Sequence, residues 1–244
     1  MANINIVANY EELCSKVTQE ILALSHEKIE TQGKFSMVLS GGSTPRGVYQ
    51  CMGSVSYRNK FNWEKMHFFW SDERWVPPED PKSNYRMASE SLLTRVKIPS
   101  ENIHPIQTTD GDLQESVRLY EKTISDFFKL RTNDFPRFDL ILLGVGKDGH
   151  TASLFPGNPV LLVKDRLVFA VSEPRLSEQR ITLTLPTINH AGMIFFLVSG
   201  DEKAAIVADV LGDKAPHIFP ANEIAPSHGK LSWFLDKAAN KLRT

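Results

Sequence analysis

The chain has 244 residues, of which 41% are apolar and 23% are charged, proportions that suit a globular protein with a substantial core. Its 28 Lys and Arg residues nearly balance its 29 Asp and Glu residues, so it lacks the basic excess that is typical of nucleic-acid binders. The first residues lack the basic and apolar segments of a signal peptide, and the longest apolar stretch, 193–198, is too short to span a bilayer. We therefore predict one domain over residues 1–244, with neither a nucleic-acid nor a membrane partner.

Segments typical of strands and of helices alternate along the whole chain. Asn9 and Glu12 form a capping box, which predicts the start of an amphipathic helix that ends at Gly33. Thr44-Pro45 predicts a second helix with proline at its first position. Strands are predicted at 35–39, 66–70, 138–145, 167–171, 181–185 and 194–198, and further helices at 84–96, after the Asp112/Glu115 cap and after Gly200.

The predicted strands are continuously apolar rather than alternating, which indicates a sheet that is buried on both faces. With helices between them, they predict an α/β protein: a three-layer α/β/α Rossmann-like domain with a mainly parallel sheet. Ligands bind to such sheets outside the carboxyl ends of the strands. Three polar loops follow predicted strands, at 40–45, 71–74 and 144–150, so a site is expected at that edge.

The loop Ser40-Gly41-Gly42-Ser43-Thr44-Pro45 has the composition of an anion cradle. Two glycines let the backbone approach a ligand closely, and Ser43 and Thr44 add hydroxyl groups. The helix that follows directs its N–H groups and its dipole to the same place, as phosphate sites require. The spacing excludes a Walker A loop. An ordinary strand-to-helix turn capped by Thr44 is the alternative.

The loop Gly144-Val145-Gly146-Lys147-Asp148-Gly149-His150 matches the dinucleotide pattern G-x-G-x-x-G, but its context does not. The segment after it is interrupted by Pro156, Gly157 and Pro159 instead of forming a crossover helix. His150 is a candidate general acid or base beside Asp148, and a purely structural histidine is the alternative. The other histidines lack metal-binding spacing, so we predict no metal site.

Other charged side chains are candidate site residues. Asp72, Glu73 and Arg74 follow an apolar strand, where a solvated turn is the alternative interpretation. Arg180 and Lys203 are candidate partners for a phosphate, although each alone is compatible with a surface charge. Cys14 and Cys51, the only cysteines, fit a reducing compartment and predict a cytoplasmic location.

Several segments form a joint pattern in order along nearly the whole chain: LSGGSTPRGVY at 39–49, WSDERWVP at 70–77, Ser83-Asn84, LGVGKDGHTASLFPG at 143–157, RITLTLPTIN at 180–189 and the Gly200/Lys203 turn. Taken together, these segments resemble the 6-phosphogluconolactonase family. The resemblance implies hydrolysis of 6-phosphoglucono-1,5-lactone to 6-phosphogluconate in the oxidative pentose phosphate pathway, with water and no cofactor.

The related glucosamine-6-phosphate deaminases share the phosphate loop and the Asp-Gly-His triplet. In those enzymes the segment looks like DGHIAFNEP, and its glutamate helps the histidine to open the sugar ring. In this chain Phe155 stands at the position of that glutamate. This difference favours the lactonase. A deaminase, or a catalytically inactive sugar-phosphate sensor on the same fold, stays as the alternative.

The resemblance implies roles for the candidate residues. His150 would activate water as the general base and return the proton to the ring oxygen, with Asp148 as its orienting partner. Arg74 would stabilise developing negative charge or hold hydroxyls, and Asp72 would bind a hydroxyl or hold Arg74. The phosphate would lie on Gly41, Gly42, Ser43 and Thr44 with Arg180 and Lys203. The expected partner is a small sugar phosphate, and the sequence leaves the oligomeric state open, a monomer being sufficient.

Overall fold

The structure is a computed structural model that describes residues 2–108, 111–173, 176–212 and 219–243. Its strands are β1 (Asn3–Val7), β2 (Phe35–Leu39), β3 (Met66–Trp70), β4 (Asp72–Arg74), β5 (Leu140–Leu143), β6 (Val168–Val171), β7 (Arg180–Leu183), β8 (Met193–Val198) and β9 (Lys230–Asp236). Its helices are α1 (Tyr10–Gln32), α2 (Ser43–Met52), α3 (Asn84–Ala88), α4 (Leu113–Phe128), α5 (Leu185–Asn189) and α6 (Ala204–Leu211).

Six strands form the central sheet, in the order β1-β9-β8-β5-β2-β3, and every neighbouring pair is parallel. Every residue of β2 and of β5 is buried. Because successive side chains of a strand point to opposite faces, complete burial means that both faces of the sheet are covered. The predicted α/β fold with a mainly parallel sheet is therefore confirmed.

A second sheet of three antiparallel strands, in the order β4-β7-β6, lies beside the first. Ser71 joins the two sheets: its N–H donates to the Leu39 carbonyl at 2.8 Å, and its carbonyl accepts from the Leu183 N–H at 2.7 Å. The prediction of a loop at 71–74 is thus wrong for 72–74, which form β4. The strands predicted at 167–171 and 181–185 belong to this small sheet, and the second ends at Leu183 because Thr184 caps α5.

The helix ends follow the predicted signals with small differences. The Asn9 side chain accepts from the Glu12 N–H at 2.9 Å and caps α1, and Gly33 ends that helix in the left-handed region with a φ of 79°. Helix α2 begins two residues earlier than predicted, at Ser43, so Pro45 is its third residue rather than its first. Asp112 caps α4, but Glu115 pairs with Arg118 instead of returning to the cap.

The helix predicted at 84–96 is shorter, because α3 ends at Ala88 and passes into a π-helical turn, Ser89–Leu93. Side-chain hydroxyls take carbonyl groups that a longer α-helix would use. Ser91 Oγ donates to the Met87 carbonyl at 2.6 Å, and Thr94 Oγ1 donates to the Ser89 carbonyl at 3.0 Å. Such competition between side chain and backbone weakens a helix interior.

The sequence patterns predict neither β1 nor β9. Strand β1 alternates asparagine with apolar residues and lies at the edge of the sheet, where it pairs only with β9. The pairing joins Asn3 to Ser232, near opposite ends of the chain, so no local sequence pattern predicts it. The buried apolar side chains of the described residues form one connected cluster. The single domain over 1–244 stays a prediction that this cluster supports.

Two neighbouring histidines, His67 in β3 and His104 packed against that strand, make the stability of the fold sensitive to acid. His104 stacks on Phe69, and its Nε2 lies 3.3 Å from Nδ1 of His67. Burial, together with the neighbouring His67 and Lys34, lowers the pKa of His104 to about 4. Because the unfolded chain takes up this proton near pH 6.5 and the folded protein does not, stability is lost as the pH falls from about 6.5 to 4.

We expect His104→Phe, which keeps a ring on Phe69 but cannot be protonated, to reduce this loss of stability by about 1–2 kcal/mol. This figure allows for the partial exposure of the ring. Urea unfolding at pH 7, 6, 5 and 4.5 measures the effect, with His26→Phe on the exposed side of α1 as the control. Identical pH profiles for the wild type and His104→Phe would contradict the prediction.

Candidate active site

A cavity of about 320 Å³ opens at the carboxyl ends of β2, β5 and β8. Eight of the ten predicted site residues line it: Gly41, Gly42, Ser43, Thr44, Asp72, Arg74, His150 and Lys203. The remaining two are each beside one of these, since Asp148 bonds to His150 and Arg180 is paired with Arg74 in the small sheet. The structure therefore brings together residues that are spread over more than half of the chain.

The glycine-rich loop forms one wall of the cavity. Gly42 has a φ of 111°, a region that residues with a Cβ rarely adopt, and α2 starts directly after it without a side-chain cap. Thr44 Oγ1 bonds to Ser199 Oγ at 2.8 Å, so this hydroxyl does not cap α2. The uncapped N-terminus of a helix attracts anions through its N–H groups and its dipole.

Gly41 packs directly on Asn84. A Cβ added at Gly41 would lie 2.1 Å from Asn84 Oδ1, so a larger residue there would have to displace the Asn84 side chain. The Asn84 amide donates through Nδ2 to the Asp72 carbonyl at 2.9 Å. Asn84 thus links the glycine-rich loop to β4.

His150 lines the cavity from the loop that follows β5. Its Nδ1 is 2.5 Å from Asp148 Oδ1, and its backbone N–H also donates to that oxygen, at 3.2 Å. With Nδ1–H directed to the carboxylate, the neutral imidazole keeps its lone pair on Nε2. Burial raises the pKa of Asp148, but the contacts with His150 outweigh burial and hold this pKa below its ordinary value. The carboxylate therefore stays ionised and fixes the tautomer of the ring.

Two glycines give the histidine loop its shape. A Cβ on Gly146 would lie 2.1 Å from the His150 ring, so the imidazole occupies the space that a side chain would need. Gly149 has a φ of 77° and packs against the ring of Phe219. The bond from the Gly146 N–H to the His150 carbonyl, at 2.8 Å, closes the loop.

Strand β4 presents alternate side chains to the cavity, as the period of two requires. Asp72 and Arg74 line it, whereas Glu73 does not. Asp72 is buried and accepts from Ser71 Oγ at 3.1 Å and from Ser153 Oγ at 2.8 Å. Among the described residues Asp72 forms no ion pair with Arg74, whose Nη1 donates to the Lys82 carbonyl at 2.5 Å.

Arg74 and Arg180 face each other across β4 and β7. The Nε atoms of both are buried and have no hydrogen-bond partner among the described residues. Burial and the adjacent Arg74 lower the pKa of Arg180. Like charges placed opposite one another in a sheet are unfavourable, so this pair concentrates positive charge beside the cavity.

Lys203 lies on the turn between β8 and α6. Its Nζ donates to the Val145 carbonyl at 2.8 Å, which holds the ammonium group at the cavity wall. Burial lowers the pKa of Lys203, and nearby Lys147 acts in the same direction. An anion in the cavity would offset both effects.

Three residues at or beside the cavity have roles that were not predicted from the sequence. Asn84 and Ser40 line it, and the buried Ser40 Oγ has no partner in the described part of the chain. Ser153 binds Asp72 from the segment after His150. Asn84 had one local signal, since it follows Ser83, whose side chain caps α3. The contact between Ser153 and Asp72 joins residues 81 positions apart, and no local pattern indicates it.

The arrangement combines an oriented imidazole, two guanidinium groups and an anion cradle with an ammonium group. Such a set can remove a proton from water at one end of a ligand and hold a phosphate at the other. Across the described ranges, no three His, Cys, Asp or Glu side chains are grouped so that they could hold a metal ion. None of the helices that the structure describes combines the length and apolar character needed to cross a membrane.

Comparisons with known proteins place the chain in a family. The family described as glucosamine-6-phosphate isomerases/6-phosphogluconolactonase matches residues 8–233. Proteins named 6-phosphogluconolactonase are similar to this chain. The one from Synechocystis sp. is 38% identical over 239 residues, and the alignment covers 98% of this chain and 97% of that protein. That of Nostoc sp. is 39% identical over 237 residues, covering 97% and 96%.

A solved structure gives the same result. The 6-phosphogluconolactonase from Trypanosoma brucei superposes with a TM-score of 0.86 and is 30% identical, with 100% of this chain and 99% of that chain covered. The match in sequence extends through the glycine-rich loop, β4, the His150 loop and Lys203. The chain therefore belongs to the glucosamine-6-phosphate isomerase and 6-phosphogluconolactonase family.

Proposed function

We propose that this protein is an enzyme that hydrolyses 6-phosphoglucono-1,5-lactone to 6-phosphogluconate, a step of the oxidative pentose phosphate pathway. The observation that carries the proposal is that His150, oriented by Asp148, lines one cavity together with an uncapped helix N-terminus and Lys203. Relatives that align over nearly their whole length are named for this activity. The reaction needs water and, we propose, no cofactor.

In this mechanism His150 acts at the lactone end of the substrate. Nε2 accepts a proton from water, and the resulting hydroxide attacks the carbonyl carbon. The tetrahedral intermediate then collapses, the bond to the ring oxygen breaks, and the imidazolium returns its proton to that oxygen. Asp148 orients the ring and stabilises the imidazolium through Nδ1. One histidine thus serves as base and then as acid.

At the other end, the phosphate lies on residues 41–44 and on Lys203. The N–H groups at the start of α2 and the ammonium group supply charge-assisted hydrogen bonds. Arg180 does not line the cavity, so we assign it a supporting charge beside Arg74 rather than direct contact with the phosphate. This assignment modifies the role expected from the sequence.

Arg74 and Asp72 act between these two ends. Arg74 presents a guanidinium to the cavity, where it stabilises the negative charge that develops on the carbonyl oxygen. Asp72, held by two serine hydroxyls, accepts a hydrogen bond from a substrate hydroxyl. The absence of an ion pair between these two described residues favours this division of roles over one in which Asp72 holds Arg74.

Phe155 separates this proposal from the deaminase alternative. Its ring lies 4.7 Å from the ring of His150, at the position where the resembling deaminases carry a glutamate. A phenyl ring cannot carry a proton, so it cannot assist ring opening of an amino sugar. A lactone is already cyclic and activated and does not need that assistance.

The proposed partner is a small sugar phosphate, and we propose a cytoplasmic location for the protein. Both cysteines are free, Cys14 being buried and Cys51 half-buried, and free thiols fit a reducing compartment. The cavity is built from one chain, so a monomer suffices for the reaction.

The decisive test is an assay with freshly generated 6-phosphogluconolactone, using chelator-treated and nucleotide-free protein. We expect full hydrolytic activity above the spontaneous background, which must be subtracted at every pH. Glucosamine-6-phosphate serves as the competitor substrate, and we expect no release of ammonia from it. Release of ammonia would favour the deaminase, activity restored only by added metal would contradict the cofactor-free mechanism, and binding without turnover would favour the sensor.

A further inference from the structure

Glu73 is the one charged residue of β4 that does not face the cavity. It lies between Asp72 and Arg74, and its side chain is buried, with 2% of the residue exposed. A buried carboxylate is costly unless its oxygens accept hydrogen bonds. Glu73 forms no ion pair with any residue in the described ranges, so hydrogen bonds must stabilise it.

Four donors converge on this carboxylate. Oε1 accepts from the N–H groups of Arg74, at 2.8 Å, and Asn84, at 2.7 Å. Oε2 accepts from the Tyr85 N–H at 2.7 Å and from Ser83 Oγ at 3.1 Å. Burial raises the pKa of Glu73, and the three backbone N–H groups act in the opposite direction.

These bonds complete the N-terminus of α3. The first N–H groups of a helix have no partner within the helix and need one outside it. The Glu73 carboxylate accepts hydrogen bonds from the N–H groups of Asn84 and Tyr85. Ser83 accepts the next two: its Oγ from the Arg86 N–H at 3.1 Å and its carbonyl from the Met87 N–H at 3.2 Å. The first turn of α3 is therefore attached to β4 by a side chain from the strand.

The attached turn carries two groups that shape the cavity. Asn84 contacts Gly41 and donates to the Asp72 carbonyl, and it lines the cavity itself. The Lys82 carbonyl, next to the attached turn, receives Nη1 of Arg74. If the turn moved away from β4, the guanidinium of Arg74 and the support of the glycine-rich loop would move with it.

We propose that Glu73 is a positioning residue for the reaction: it attaches the start of α3 to β4 and thereby holds Arg74 and Asn84 in their working positions. It does not contact the substrate. This inference rests on the proposed function, because the reaction is what makes the position of Arg74 matter. Misplacement of a reacting group by about 1 Å can cost about 10²-fold in rate.

The test compares Glu73→Gln with Asp139→Asn. Asp139 is a matched control because its carboxylate also accepts a backbone N–H and a hydroxyl, both from Ser36, just before β5 begins and away from the cavity. Each variant replaces one oxygen of the carboxylate with an NH2 group, which cannot accept the hydrogen bonds that the oxygen accepted. For each folded molecule, we expect kcat/KM to fall about 10- to 100-fold in Glu73→Gln and less than about twofold in Asp139→Asn.

Hydrogen exchange of segment 82–88 provides the second measurement in the same proteins. We expect at least tenfold faster exchange in Glu73→Gln and wild-type exchange in Asp139→Asn. If Glu73→Gln does not fold, Ser83→Ala removes one of the four donors, and we expect the same changes on a smaller scale. Wild-type kcat/KM and wild-type exchange in the Glu73 or Ser83 variant would overturn the inference. A wild-type protein without lactonase activity would refute the proposed function instead. The exchange rates would still test whether Glu73 attaches the start of α3 to β4.

Discussion

Replacing His150 with glutamine is expected to lower kcat by about 10²–10⁴-fold, the usual contribution of a positioned acid or base. Glutamine has a similar reach and can still bond to Asp148, but it cannot accept a proton from water. KM should change little, because the lost interaction is made mainly in the transition state. Steady-state kinetics with the spontaneous hydrolysis subtracted measures both constants.

His190→Gln is the matched control for this experiment. His190 also bonds through Nδ1, to the Pro186 carbonyl at 2.7 Å, but it stacks on Phe135 and does not line the cavity. A His150→Gln protein with near wild-type kcat would remove the histidine from the mechanism and direct attention to Asp72.

Lys203→Ala is expected to raise KM about 10- to 150-fold while kcat stays within a few-fold of the wild type. The loss of one charge-assisted hydrogen bond to the phosphate costs about 1.5–3 kcal/mol, and the phosphate is remote from the bond that breaks. The structure supports this choice over Arg180, because Lys203 lines the cavity and Arg180 does not. Inorganic phosphate or sulfate should compete with the substrate in the wild type and compete less well in the variant.

Lys164→Ala is the control, since Lys164 also donates to a carbonyl, that of Leu161 at 3.4 Å, but lies outside the cavity. Unphosphorylated gluconolactone is the second control, because a variant that has lost only a phosphate contact should treat it as the wild type does. Equal rates of the wild type on phosphorylated and unphosphorylated lactone at low concentration would contradict the phosphate anchor.

The features predicted from the sequence are those with a local cause. Continuous apolar runs predicted the buried strands, and caps such as Asn9 predicted helix starts, because both depend on residues a few positions apart. The loops after β2 and β5 were predicted as site loops by a general rule of the fold class, because the carboxyl ends of parallel strands lie at one edge of the sheet. Eight of ten predicted site residues accordingly line one cavity.

The features that were missed depend on partners distant in the chain. Strand β1 forms by pairing with β9 at the edge of the central sheet, and β4 forms by pairing with Arg180 and its neighbours on β7. The alternation of β4 turns Glu73 away from Asp72 and Arg74, so three adjacent charges that looked alike in the sequence have different surroundings. Only the pairing of the strand determines which of them faces the cavity.

The amino-acid sequence was thus sufficient for the fold class, and it was sufficient to identify the glycine-rich loop and His150 as candidates, since strand periodicity and loop composition are local features. The tertiary structure was needed for the Asp148–His150 bond geometry, the contact of Gly41 with Asn84, and the placement of Arg180 beside Arg74. These contacts arise where two sheets and several loops meet. Local propensity allows several positions for each of these side chains, and close packing in the folded protein determines which one is occupied.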